Sequence, residues 1–177
     1  PTMRAMNAEG RRFSGCLYFG LMLTPNGPKV IEYNCRFGDP ETQAVLPLLE
    51  TDLFTILLAL EDRRLDEAKV RFRGGSCCCV VLASQGYPGA YETGFEITIN
   101  GAEEMENVFV FHAGTKREED RLLTAGGRVL GVSALGENAR TAKKAAYAAA
   151  EKIHFKRAFC RGDIGSRAIA ETEQEES

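Results

Sequence analysis

Six polar side chains able to hold a cation or an anion crowd into residues 30–43. Glu32, Asn34, Arg36, Asp39, Glu41 and Gln43 fall within twelve positions. The stretch opens as a strand, Val30-Ile31-Glu32-Tyr33-Asn34, and strand alternation places Glu32, Asn34 and Arg36 on one face. A carboxylate beside a carboxamide oxygen supplies the hard donors that Mg²⁺ prefers. An arginine on the same face suits a phosphate or a developing anion. Gly38 and Pro40 then turn the backbone sharply, as a loop beside a ligand must. The competing reading is an edge strand with solvated charges and Asp39 as the N-cap of a following helix. The density of polar groups next to Val30, Ile31 and Phe37 favours a site.

Such a strand needs a partner to fix it. Residues 14–23 read as a buried apolar strand carrying Gly20, and Thr24-Pro25-Asn26-Gly27-Pro28 is a hairpin turn. The candidate residues therefore belong on the second strand of an antiparallel hairpin. Residues 1–12 predict a short helix end. After Pro40, Leu46, Leu49, Leu53, Ile56, Leu57 and Leu60 recur at helical spacing, with Thr51-Asp52 interrupting the run and recapping a second helix.

Beyond a charged, irregular stretch the pattern changes. Residues 76–83 form an apolar strand containing Cys77-Cys78-Cys79, and residues 85–91 a Gly/Pro loop. Residues 95–99 and 108–113 predict strands. Residues 122–125 and 128–134 bracket Gly126-Gly127 and predict a hairpin. Residues 139–153 predict one long helix with Ala142, Ala145, Ala146, Ala149 and Ile153 inward. The fold class is α+β: residues 1–64 as one portion, 65–71 as a linker, 72–170 as a small, mostly antiparallel β domain with a packed helix, and 171–177 as an acidic tail expected to fray.

Composition excludes several partners. A net charge of −3 gives no electrostatic footprint for nucleic acid, and no apolar run approaches the ~20 residues of a membrane span. The six cysteines include no CxxC pair, and alternation along a strand keeps three consecutive thiols from chelating one metal. Without a signal-like start, reduced core thiols in a cytoplasmic protein are expected. The opening Pro1-Thr2-Met3 suggests a fragment or a processed chain.

Glu32-Tyr33-Asn34-x-Arg36 after a glycine-turn hairpin resembles the metal-binding strand of ATP-grasp ligases. The extension Arg36-Phe37-Gly38-Asp39-Pro40-Glu41-Thr42-Gln43 resembles one branch of them, the glycinamide ribonucleotide synthetase family. Four later segments are similar to it too: Ala83-Ser84-x-Gly86-Tyr87-Pro88-Gly89, Phe111-His112-Ala113-Gly114-Thr115, Gly126-Gly127-Arg128-Val129-Leu130 and Arg161-x-Asp163-Ile164-Gly165-x-Arg167-Ala168. The resemblance runs over residues 10–169. It places residues 1–64 in the C-terminal portion of an ATP-grasp domain and 72–170 in the family's small C-terminal domain, with the N-terminal half of the same enzyme as the missing partner.

The resemblance implies ligation of glycine to 5-phosphoribosylamine with ATP and Mg²⁺ (or Mn²⁺), giving glycinamide ribonucleotide, ADP and phosphate in de novo purine synthesis. Glu32 and Asn34 match the metal and nucleotide positions. Arg36 is implied to stabilise the transferring phosphoryl group or the tetrahedral intermediate. Many ATP-grasp enzymes carry another metal carboxylate twelve residues before this glutamate, where the present sequence has Gly20, so the number of ions stays open. Gly38, Asp39 and Glu41 are assigned to the glycine or amine end, with Asp39 catalytic. Lys116 and Arg128, each after a glycine-containing turn, are candidates for the sugar 5-phosphate, and Arg128 is preferred because Lys116 opens a charged run that reads as a solvated loop. His112 reads as a core or loop-anchoring residue, His154 as a helix C-cap, Tyr87 and Tyr91 as loop anchors, and Arg161, Asp163 and Arg167 as a structural ion-pair cluster. Two other readings stand: another purine-pathway ATP-grasp ligase, against which the Arg-Phe-Gly-Asp-Pro-Glu loop counts, and a non-catalytic binding or assembly module. The chain by itself is expected to be inactive.

Overall fold

The structure, a computed structural model, describes the backbone of residues 1–175 and the side chains of residues 1–170. In chain order the elements are α1 (Thr2–Ala8), β1 (Tyr18–Thr24), β2 (Gly27–Asn34), α2 (Thr42–Val45), α3 (Leu53–Glu61), β3 (Ser76–Ser84), β4 (Thr98–Ile99), β5 (Val108–His112), β6 (Thr115–Glu118), β7 (Arg121–Thr124), β8 (Arg128–Gly136), α4 (Ala139–Ala150), β9 (Ile153–His154), β10 (Ala158–Phe159) and α5 (Ser166–Glu175). They form two compact units: Pro1–Asp39 with Leu49–Phe72, and Pro40–Leu48 with the chain from Arg73 onward. The expected division kept all of residues 1–64 together, whereas Pro40–Leu48 groups with the second unit.

In the first unit β1 and β2 form the expected antiparallel hairpin. Gly27 takes a φ of 85°, which glycine tolerates best, and the Thr24 hydroxyl donates to its carbonyl at 2.7 Å. Strand β1 is not buried as its composition predicts: Leu21 and Met22 are exposed and Leu23 is 83% exposed. A two-stranded sheet gives each side chain little beyond its cross-strand neighbour. Phe19 and Tyr33 use that neighbour, meeting edge to face at 5.0 Å. The recapping at Thr51-Asp52 is present. Asp52 Oδ2 accepts the Thr55 backbone N–H at 2.8 Å and its hydroxyl at 2.9 Å, starting α3. The same backbone bond is the main cause holding the Asp52 carboxyl below its ordinary value.

In the second unit α2 stops after one turn and passes into a 3₁₀ turn at Leu46–Leu48. Pro47 lies in that turn, and a proline supplies no N–H to continue a helix. The main sheet has the order β10-β3-β8-β5, all antiparallel. Helix α4 packs on it through Ala142, Ala146 and Ala149, fully buried among Val80, Leu82, Leu130, Val132 and Ala134. Alanine combines high helix propensity with the small bulk that lets the helix sit close to the sheet. The helix is capped reciprocally: Asn138 Oδ1 accepts Thr141 N–H at 2.9 Å, and Thr141 Oγ1 accepts Asn138 N–H at 3.1 Å.

Three local expectations fail here. The hairpin around Gly126-Gly127 does not form, because β7 pairs with β6 across Glu119-Asp120 while β8 pairs with β3 and β5. Residues Val129 to Ala134 are buried throughout, which requires a strand covered on both faces and flanked on both edges. The charged run that read as a loop is thus a hairpin, with Glu119 at φ 52° in its turn. His154 is no helix cap; α4 ends at Ala150 and His154 pairs with Thr98 in β9–β4. Helix α5 runs into the stretch expected to fray, of which Glu176 and Ser177 lie outside the described residues.

Candidate functional site

In the first unit Glu32 and Asn34 share one face of β2, as their spacing requires. Directly across from Glu32 stands Gly20, and across from Asn34 stands Tyr18. The Glu32 side chain lies over the glycine: a Cβ at residue 20 would come within 2.9 Å of Glu32 Cγ. The position twelve residues before Glu32 is therefore its cross-strand partner, and a carboxylate there would stand beside it. With glycine in that place, the strand pair offers one carboxylate and one carboxamide. Among the described residues no three His, Cys, Asp or Glu side chains cluster in a way suited to a metal. Two oxygen donors fit Mg²⁺, which keeps several waters and takes further ligands from substrate phosphates.

Arg36 does not extend that face. Strand β2 ends at Asn34, and Arg36 lies in the bend that follows, its Nη1 donating to the Phe37 carbonyl at 2.9 Å. Gly38 is buried and Asp39 exposed. Asp39 is not a helix N-cap: α2 begins at Thr42 with Glu41 in the cap position and no side-chain cap bond. With only four residues, α2 has no developed dipole to draw an anion.

In the second unit Glu41 is exposed on the rim of a cavity of about 260 Å³, which Cys77, Cys78, Cys79, Ile164 and Gly165 also line. The segment is anchored two residues on. Ser133, fully buried in β8, donates its hydroxyl to the Gln43 carbonyl at 2.7 Å. Sequence reasoning missed Ser133; its one signal was a lone hydroxyl in the apolar run of residues 129–135. Two of the thiols behind this segment are shifted away from the thiolate, the reactive form. Burial, assisted by its two neighbouring cysteines, pushes Cys77 up to about 11, and burial raises Cys78 as well. The six cysteines, all among the described residues, form no disulfide.

The two phosphate candidates differ in burial. Lys116 lies on β6 and its Nζ contacts Glu118 Oε1 at 2.6 Å, an exposed pair whose hydrogen bond lowers the Glu118 carboxyl. Arg128 is the half-buried first residue of β8. The turns that precede them meet back to back. The Gly114 N–H donates to the Arg128 carbonyl at 2.9 Å, and a Cβ at Gly114 would lie 2.6 Å from Gly126 Cα. His112 is a loop anchor, Nδ1 and Thr115 Oγ1 being 3.2 Å apart. Arg161 grips Asp163 with two bonds of 2.9 and 2.6 Å, which supplies two members of the expected Arg161, Asp163 and Arg167 cluster.

Two family models match the chain. Residues 77–167, more than half of the chain, match the family model of the phosphoribosylglycinamide synthetase C domain, and residues 1–42 match that of its ATP-grasp (A) domain. Phosphoribosylamine–glycine ligases from Rhodopirellula baltica and Halalkalibacterium halodurans are 49% and 51% identical over 96% and 97% of the chain. The chain spans 39% of the length of each. The crystal structure of the Thermotoga maritima phosphoribosylamine–glycine ligase superposes with a TM-score of 0.76 at 37% identity, covering 90% of this chain and 39% of that one. The biotin carboxylase domain of the Hydrogenobacter thermophilus 2-oxoglutarate carboxylase, solved with MgADP, shares the fold at a TM-score of 0.57 and 13% identity, over 86% of this chain and 34% of that one. The two model matches and the long alignments agree with the motifs of both units: the chain belongs to the phosphoribosylglycinamide synthetase family.

Proposed function

We propose that the enzyme carrying this chain is an ATP-dependent carbon–nitrogen ligase of purine biosynthesis, acting in the cytoplasm, that joins glycine to 5-phosphoribosylamine. The observation that carries this reading is the identity of about half to ligases of that name over nearly the whole chain. In the reaction a glycine carboxylate oxygen attacks the γ-phosphorus of ATP and the bond to the bridging oxygen breaks, releasing ADP and leaving an acyl phosphate. The amine nitrogen of 5-phosphoribosylamine attacks the acyl carbon, loses a proton and expels phosphate, leaving glycinamide ribonucleotide. Both steps gather negative charge, so the protein's task is to place cationic and hydrogen-bonding groups around it. Glu32 and Asn34 would hold Mg²⁺ (or Mn²⁺), which offsets phosphate charge when bound. Arg36 supplies a further cation. Gly38, Asp39 and Glu41 serve the glycine or amine end. Arg128, half-buried at the start of β8, takes the sugar 5-phosphate in preference to Lys116, which opens a charged run.

The test is Glu32→Ala in the full-length ligase, followed as ADP release dependent on glycine and the phosphorylated amine. Loss of even an indirect metal contact costs about 10- to 100-fold, so loss of a direct ligand should cost at least that. Wild-type turnover by Glu32→Ala would remove Glu32 from the metal site.

A further inference from the structure

The turn that launches Arg128 is held more tightly than a surface turn needs. All three carbonyls of residues 126–128 are claimed: Gly126 by the Ser84 hydroxyl at 3.0 Å, Gly127 by the Ser84 N–H at 2.8 Å, and Arg128 by the Gly114 N–H at 2.9 Å. Ser84 is itself buried at the end of β3. Three residues on, the Tyr87 N–H donates to the Ser84 carbonyl at 3.1 Å, which turns the chain back. The Tyr87 ring then abuts Gly127. A Cβ there would be 2.1 Å from Tyr87 Cδ2 and 2.8 Å from Cε2, so position 127 admits only glycine while the ring stays in place. The Tyr91 ring backs it edge-on at 6.1 Å. The result is a mount with backbone bonds on two sides and an aromatic ring against the third, set immediately before one cationic side chain.

We infer that Tyr87 is a positioning residue for Arg128, acting through Gly127 to fix where the guanidinium meets the sugar 5-phosphate. This rests on the reading that Arg128 binds that phosphate. The physical reason is one of tolerance: a binding group displaced by about 1 Å can cost up to 10²-fold, and a turn flanked by two glycines drifts unless it is clamped. A tyrosine that only covered core would affect folding and leave the three substrates equally affected.

The experiment is a double-mutant cycle in the full-length ligase, with KM for each substrate. Tyr87→Ala should raise KM for the phosphorylated amine about ten- to a hundredfold and leave those for ATP and glycine within about twofold. Tyr87→Phe should behave as wild type, since the ring and not the hydroxyl does the packing. In the Arg128→Ala background, Tyr87→Ala should add nothing. If Tyr87→Ala leaves KM for the phosphorylated amine unchanged, or raises it equally with and without Arg128, the positioning role is overturned and the Arg128 assignment stands. If Arg128→Ala itself leaves that KM unchanged, the phosphate reading fails and the inference falls with it. Should Tyr87→Ala not fold, Gly127→Ala, which pushes the ring aside, carries the same cycle with the same outcomes.

Discussion

Gly20→Ala should leave stability unchanged or slightly higher while damaging the metal site proposed at Glu32. The backbone at Gly20 is not in the positive-φ region, so alanine fits it without strain. Glycine inside a strand costs roughly 0.5–1 kcal/mol relative to alanine, and removing it returns that much. Against this, the new methyl carbon would stand 2.9 Å from Glu32 Cγ. Carbon contacts settle at about 3.5–4.0 Å, so Glu32 must retreat by roughly 0.6–1.1 Å. Glu32 is exposed and flexible, and leaving its rotamer well costs at most about 1.5 kcal/mol; moving to another well costs less. Stability therefore changes by less than about 1 kcal/mol, in the favourable direction if Glu32 finds a second rotamer. Catalysis behaves differently, because a metal carboxylate moved by about 1 Å can cost up to 10²-fold. The assay pairs urea denaturation with kcat/KM measured across a Mg²⁺ titration of the full-length ligase. The expected result is an unchanged or higher urea midpoint, a 10- to 100-fold lower kcat/KM and a higher Mg²⁺ concentration at half activation. An alanine variant with wild-type kcat/KM and Mg²⁺ midpoint would refute the claim that Glu32 works from its place over Gly20.

Two further outcomes follow from the second unit. Ser133→Ala removes the buried bond to the Gln43 carbonyl and should cost about 1–3 kcal/mol, seen as faster amide hydrogen exchange across Pro40–Leu48; unchanged exchange there would show that the segment is held by packing alone. Cys77, pushed up to about 11, should resist alkylation at pH 8 while exposed Cys35 reacts, and should gain reactivity only as pH nears 11. Because folding raises this thiol above its ordinary 9.0, its contribution to stability is complete below pH 9 and declines as pH climbs from 9 to about 11; equal labelling of both thiols at pH 8 would contradict the burial argument.

Local chemistry was legible in the sequence and long-range pairing was not. The Thr-Pro-Asn-Gly-Pro turn fixed the first hairpin, and Asp52 could be read as a cap, because each depends on neighbours a few residues away. The partner of β7 depends instead on a competition. Leu122 and Leu123 could join either β8 or β6, and β8 is taken by β3 and β5 because its continuous apolar run needs cover on both edges. Strand β1 differs for a related reason: apolar composition states a preference for burial, and within this chain β1 has β2 as its paired strand, which covers little of it. Within the candidate site, Glu32 and Asn34 were readable from alternation, but Arg36 was not, since alternation stops where the strand bends at Cys35. The mount of Arg128 was invisible, because Ser84, Tyr87 and Gly114 reach it only through the fold.

The spacing between Gly20 and Glu32 shows how a sequence interval becomes geometry. Near the turn the register pairs Leu21 with Val30 and Met22 with Lys29. Carried on unbroken, that register would set Gly20 against Ile31 and Phe19 against Glu32. Glu32 would then share a face with an aromatic ring. The bulge between Gly20 and Leu21 prevents this by leaving Ile31 as the extra residue on β2, so that Gly20 faces Glu32 and Phe19 faces Tyr33. One inserted residue exchanges the faces of everything beyond it. Polar Glu32 and Asn34 are thereby gathered on one face with Gly20, and Phe19 and Tyr33 on the other, where their rings meet. The twelve-residue interval thus contains the bulge, and the bulge gives the Glu32 carboxylate a glycine, not a phenylalanine, to lie across.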